Sequence, residues 1–190
     1  MIVQRVLPFA KSLITSHITD KSVVIDGTCG NGWDTLFLAQ SVPNGHVYAC
    51  DIQSLAIDNT REKVKEMSHV TLLQTGHETI TDYISESHRH SVDAALFNLG
   101  YLPKGDKSIV TNAENTILAI ESIFELLRPE GIIVLAIYPG HPEGRVESET
   151  LLNYFRSFDQ EKAHILKYEF INQQNHPPFI IGIEKRSARP

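Results

Sequence analysis

The sequence predicts an α/β domain on a mostly parallel seven-stranded sheet, with helices on both faces and an antiparallel C-terminal hairpin. Three observations predict it. Short β-branched or apolar runs alternate with helical-period stretches through most of the chain. Turn residues such as Pro43-Asn44-Gly45 punctuate the alternation. The last two strand-like runs follow each other with no helix between them, so their short connection makes them antiparallel.

Taken in order, VQRVLPFAKSLITSHI has apolar residues at helical spacing (Val3, Val6, Leu7, Ala10, Leu13, Ile14), and Pro8 either kinks this helix or starts it. SVVID (22–26) is a buried strand and WDTLFLAQSV (33–42) a helix closed by the Pro-Asn-Gly turn. HVYACD (46–51) and SLAIDNTREKVKEM (54–67) repeat the strand–helix unit. HVTLLQ (69–74) leads to a short helix over 78–87, and VDAALFNL (92–99) is the fourth strand. After the loop GYLPKGDKS, the helix NAENTILAIESIFELLRP runs to a stop at Pro129-Glu130-Gly131. GIIVLAIY (131–138) is the fifth strand and RVESETLLNYFRSF (145–158) the next helix; strands over 163–171 and 178–185 close the chain.

With 190 residues and 42% hydrophobic content, the chain suits one domain over 1–190. No stretch has a signal-peptide pattern, and no apolar run approaches the roughly 20 residues of a membrane helix, so no membrane partner is expected. Two cysteines, Cys29 and Cys50, give neither a disulfide framework nor a CxxC spacing, which favours a reducing cytoplasm. His88 and His90 flank Arg89 without further ligands, so no metal is expected. A net charge of −6 argues against broad nonspecific nucleic-acid binding. It leaves room for a local basic face, with Lys104, Lys107, Arg89, Lys185, Arg186 and Arg189 as candidates.

The stretch VVIDGTCGNGWDT carries the strongest chemical signal. Its glycines allow a sharp turn that a ligand can approach closely, and the following helix aims free N–H groups at that ligand. A nicotinamide dinucleotide site would place a third glycine where Thr35 stands, and Asp26 would repel a pyrophosphate. A carboxylate attracts an ammonium group, so Asp26 favours S-adenosyl-L-methionine, which has an amino-acid head and a sulfonium. Asp51, at the end of the second strand, is placed to accept ribose hydroxyls, with Gln53 beside it. His77, in Gly76-His77-Glu78, is expected beside the adenine. The full expected cofactor set is Asp26, Gly27, Asn31, Asp34, Asp51, Gln53 and His77.

DGTCGNG followed by YACDIQ resembles the first two motifs of class I methyltransferases, which implies a Rossmann-like fold over nearly the whole chain. More narrowly, DGTCGNGWDT, CDIQ, GHE, FNLGYLPKGDKSI and HPPFIIGIEK together resemble small bacterial proteins labelled rRNA methylases, one branch of which is the MnmM (YtqB-type) tRNA methyltransferases. That resemblance implies N-methylation of 5-aminomethyl-(2-thio)uridine at the tRNA wobble position to 5-methylaminomethyl-(2-thio)uridine, with the tRNA anticodon loop as partner. Asn98-Leu99-Gly100-Tyr101 resembles the N-P-P-Y loop of amine methyltransferases, with Leu99 and Gly100 in place of the prolines. The resemblance implies that Asn98 accepts hydrogen bonds from the attacking amine and that Tyr101 stacks on the base.

Lys104, Lys107 and Arg145 are candidates for flanking phosphates, and Tyr138, after the fifth strand, for the pocket rim. The alternatives are methylation of rRNA or of a small molecule, an oxidoreductase using a nicotinamide dinucleotide, and a noncatalytic RNA-binding module. Asp26 and Thr35 disfavour the oxidoreductase, and the acidic charge disfavours the binding module. A homodimer is left open.

Overall fold

In the computed structural model, which describes residues 2–100 and 111–187, the strand that carries the glycine-rich turn lies at the centre of the sheet. β1 (Val23–Asp26) is buried along its whole length between β2 (His46–Asp51) and β4 (Val92–Asn98), parallel to both. β3 (Val70–Gln74) extends the parallel sheet beyond β2, and β5 (Leu127–Ile137) extends it beyond β4. β7 (Phe179–Lys185) inserts antiparallel between β5 and β6 (Ala163–Tyr168), giving the order β3-β2-β1-β4-β5-β7-β6. The chain leaves β1 toward β2 on one side and returns to β4 on the other. A sheet that reverses its winding in this way opens a crevice at the carboxyl ends of its central strands.

The two-residue period of the strands builds two cores. Ile25, Tyr48, Ala95, Phe97, Ile133 and Leu135 face α4 (Ala113–Leu126), α5 (Pro142–Ser157) and the 3-10 segment His77–Tyr83. Their neighbours Val24, Val47, Ala49, Ala94, Leu96 and Val134 face α1 (Val6–Thr15), α2 (Trp33–Ser41) and α3 (Ser54–Val64). Both faces are apolar because both are covered, as a parallel sheet requires.

Several boundaries differ from the sequence expectation; α3 ends at Val64 rather than at 67, and β6 at Tyr168 rather than at 171. α1 begins two residues before Pro8; proline is tolerated there because first-turn amides have no helical acceptor. The helix expected over 78–87 is two 3-10 segments, His77–Tyr83 and Glu86–His88. α4 stops at Leu126, and β5 starts at once, with Leu127 opposite Val92. The expected stop at Pro129-Glu130-Gly131 is instead an irregularity within β5, with Glu130 at φ 64. Arg128 fastens this region by donating to Asp93 at 2.6 Å and to the His17 carbonyl at 2.8 Å. Finally, α5 begins at Pro142, because the His141 side chain accepts the Gly144 amide at 3.0 Å and caps the helix.

Candidate active site

A cavity of about 370 Å³ opens at the carboxyl ends of β1, β2 and β4. Its wall is built from the turn Gly27–Asn31, from Trp33 and Asp34 at the start of α2, and from Asp51, Ile52 and Gln53 after β2. Thr75 to Glu78, Asn98, Gly100, Thr111, Asn112 and Asn115 complete it.

The turn is held from both sides. Its amides reach the neighbouring strands, Gly27 donating to Leu96 O and Cys29 to Cys50 O, each at 2.9 Å. The Thr28 hydroxyl accepts the Asn98 amide at 2.7 Å, which ties the turn to the end of β4. Gly32 has a left-handed φ of 79°, and a Cβ there would stand 2.7 Å from Thr60 Cα. Glycine therefore serves both the turn and the packing of α2 on α3.

Asp51 receives Gly30 N–H at 3.1 Å on one oxygen and Gln53 N–H at 2.9 Å on the other. Each carboxylate oxygen keeps a further lone pair, so Asp51 is both oriented and able to accept hydroxyls from a ribose. His77 is 9% exposed and set edge-on to Phe97, and its Nε2 is buried with no hydrogen-bond partner among the described residues. Burial lowers its pKa, with Glu78 and Asp51 acting in the opposite sense, so neutral imidazole is favoured. An unpartnered buried nitrogen on a cavity wall is costly unless a ligand meets it. Ile52, 53% exposed on the same wall, adds apolar surface of the kind a base needs. These features fit S-adenosyl-L-methionine.

Asp26 is placed differently from the expectation. It is 1% exposed and does not line the cavity. Its carboxylate accepts the Thr35 hydroxyl at 2.6 Å and the Thr28 amide at 3.2 Å, so it braces the turn from beneath. Burial, reinforced by the nearby Asp34 charge, raises its pKa to about 7. The carboxylate that the glycine turn and the start of α2 do bring to the wall is that of Asp34, which pairs with Lys11 at 2.9 Å.

Asn98 does line the cavity, and both ends of its amide are engaged. Nδ2 donates to Asp34 and Oδ1 accepts the Tyr138 hydroxyl at 3.2 Å. Tyr138, expected on the pocket rim, does not line this cavity and meets it through Asn98. Arg145 is exposed in the first turn of α5, off the cavity wall. Tyr101, Lys104 and Lys107 lie outside the described residues.

Three of the other basic candidates have structural partners. Lys185 donates to Phe124 O and Leu127 O at 2.8 and 2.9 Å, capping the end of α4. Arg186 donates to Gln160 O at 2.8 Å, and Arg89 pairs with Glu86 at 3.1 Å. Arg189 lies outside the described residues.

Several wall features were not anticipated. Gly100 N–H donates to the Thr111 hydroxyl at 2.9 Å, and that hydroxyl donates to Glu147 at 2.9 Å. Glu147 is 5% exposed and also accepts Thr116 at 3.3 Å; burial raises its pKa. An acid at a core-facing helical position was the available signal. Trp33 is 65% exposed on the wall, and its place beside the glycine turn was visible in GNGWD. Among the described residues no cluster of three or more His, Cys, Asp or Glu could hold a metal, and no helix is long and apolar enough to cross a membrane.

Comparison with known proteins gives a consistent set of matches. The family described as "Putative rRNA methylase" matches residues 47–184. The chloroplastic tRNA (mnm(5)s(2)U34)-methyltransferase of Arabidopsis thaliana is 34% identical over 176 residues, covering 86% of this chain. The chain spans 64% of that relative's length. A Clostridium thermocellum crystal structure with the same description as the family is 41% identical, with a TM-score of 0.92 over 97% of this chain and 100% of that one. A Streptococcus mutans protein crystallised in complex with SAH is 34% identical, with a TM-score of 0.87 over 97% of this chain and 99% of that one.

Proposed function

This chain belongs to the rRNA methylase family, S-adenosyl-L-methionine-dependent methyltransferases, and from that premise we propose that it N-methylates 5-aminomethyl-(2-thio)uridine at the wobble position of tRNA. The observation that carries the substrate is the 34% identity to the Arabidopsis thaliana tRNA (mnm(5)s(2)U34)-methyltransferase. The proposed setting is the cytoplasm and the proposed partner the anticodon loop, where unstacked bases are open to a protein.

The cofactor, when bound, supplies an electrophilic methyl group on a sulfonium. The residues proposed to hold it are Asp51 and Gln53 at the ribose, His77 and Ile52 at the base, and the turn Gly27–Asn31 with Asp34 at the amino-acid head. Asn98 is proposed to align the substrate amine. Its carbonyl oxygen has one lone pair used by Tyr138 and one left for an amine N–H. The Asp34 and Tyr138 contacts hold the amide in one orientation, which is what a displacement reaction demands of its surroundings. The nucleophile must be the uncharged amine, whereas a free alkylammonium has a pKa of about 10. Partial desolvation at the wall favours the neutral form, so no dedicated base is required.

A second reading, methylation of rRNA, is favoured by the family description itself. Deleting the gene and analysing nucleosides by mass spectrometry separates the two. Accumulation of 5-aminomethyl-(2-thio)uridine in tRNA supports the first reading. A normal tRNA profile with one rRNA methyl group missing replaces it with the second.

A further inference from the structure

We infer that Trp33 and Lys63 form a second RNA subsite at the cavity rim, in which Trp33 stacks on an unpaired nucleobase adjoining the target and Lys63 meets the phosphate beside it. Trp33 stands at the first position of α2 and lines the cavity, yet 65% of it is exposed, the largest exposure of any aromatic residue among the described large hydrophobics. Burying it in the protein would be the default for a ring of this size, so its position calls for a ligand.

Lys63 Nζ lies 4.6 Å from the centre of the Trp33 ring. The lysine stem reaches there across Gly32, where a Cβ would already stand 3.2 Å from Lys63 Cδ. One face of the indole is thus met by a cation, and 65% of the residue still stays open to solvent. An open aromatic face with an ammonium group alongside is the chemistry that takes a base and a phosphate together.

The position suits a neighbour of the target base. The residue after Trp33 is Asp34, whose carboxylate holds Asn98, so platform and proposed amine site lie on one wall. Lys63 has no acidic partner among the described ion pairs, whereas Lys11 is paired with the wall residue Asp34. The subsite rests on the RNA reading above, but it does not depend on which RNA is bound.

Trp33 is the only tryptophan in the chain, so its emission reports the subsite directly. The test titrates wild-type protein, with SAH present, with an anticodon stem-loop bearing 5-aminomethyl-uridine and with an rRNA fragment. Binding is followed by anisotropy of the labelled RNA and, separately, by tryptophan emission. Stacking quenches the emission, and Trp33→Ala weakens RNA binding by roughly ten- to hundredfold. Trp33→Phe restores most of that affinity, Lys63→Ala flattens its salt dependence, and calorimetric SAH affinity falls far less than RNA affinity in all three variants. RNA binding by wild type with unchanged emission and full affinity in Trp33→Ala overturns the subsite while leaving the RNA reading intact. Quenching by the rRNA fragment alone keeps the subsite and overturns the wobble-uridine reading. Failure of wild type to bind either RNA overturns both.

Discussion

The side-chain amide of Asn98, at the end of β4, donates to the carboxylate of Asp34 in the first turn of α2. Together with the Tyr138 hydroxyl on its oxygen, this contact fixes which end of the amide is left to accept a proton donor. Without Asp34, the amide could rotate and present N–H groups to the neutral amine, tying up the lone pair that attacks the methyl group.

Asn98→Ala is therefore expected to lower kcat by about a hundredfold while leaving SAH affinity within a few-fold. Tyr138→Phe, which frees the amide at one end only, should cost less. Steady-state kinetics with calorimetry on the same preparations checks this; equal losses in turnover and cofactor affinity would move Asn98 into the cofactor site.

Asp51→Ala should weaken SAH binding by about 1.5–3 kcal/mol, the worth of charge-assisted hydrogen bonds to ribose. The variant also frees the Gly30 and Gln53 amides, so a lower melting temperature is expected alongside. Unchanged calorimetric affinity would remove the ribose assignment.

Asp26 makes stability depend on pH in a direction opposite to that of a salt-bridged acid. Its pKa rises from 3.8 to about 7 on folding, so between those values the folded state holds more proton than the unfolded state. The stabilisation is fully present below about pH 3.8 and is lost as pH rises toward about 7. Asp26→Asn cannot titrate, so the difference in melting temperature between variant and wild type should shift in favour of the variant across that window. A difference that stays flat with pH would show that Asp26 is ionised throughout.

Glu147→Ala removes the acceptor for two hydroxyls in a buried place and is expected to cost about 1–3 kcal/mol of stability by chemical denaturation. Glu147→Gln, which keeps shape and one acceptor, should lose less.

Much of this architecture is legible in the sequence because the sheet is covered on both faces. β2 was placed at His46–Asp51 because a wholly apolar centre lies between a Pro-Asn-Gly turn and a polar helix start. The site was legible where a residue's backbone position decides its role, as for Asp51 at a strand end. It was not legible where side-chain direction decides. Asp26 also ends a strand, but it points beneath the turn to Thr35. The Asn98–Asp34 contact joins residues 64 apart and leaves no local pattern. The start of α5 was missed because its cap is a histidine rather than a serine, threonine, aspartate or asparagine.

The most direct measurement of the central claim is methyl transfer in vitro. Purified protein and S-adenosyl-L-methionine are incubated with tRNA carrying 5-aminomethyl-(2-thio)uridine, and the digested nucleosides are analysed by mass spectrometry. The expected result is conversion to 5-methylaminomethyl-(2-thio)uridine by wild type and strongly reduced conversion by Asn98→Ala. 5-Aminomethyl-(2-thio)uridine left unconverted after prolonged incubation, with methyl groups appearing in rRNA incubated in parallel, would contradict it.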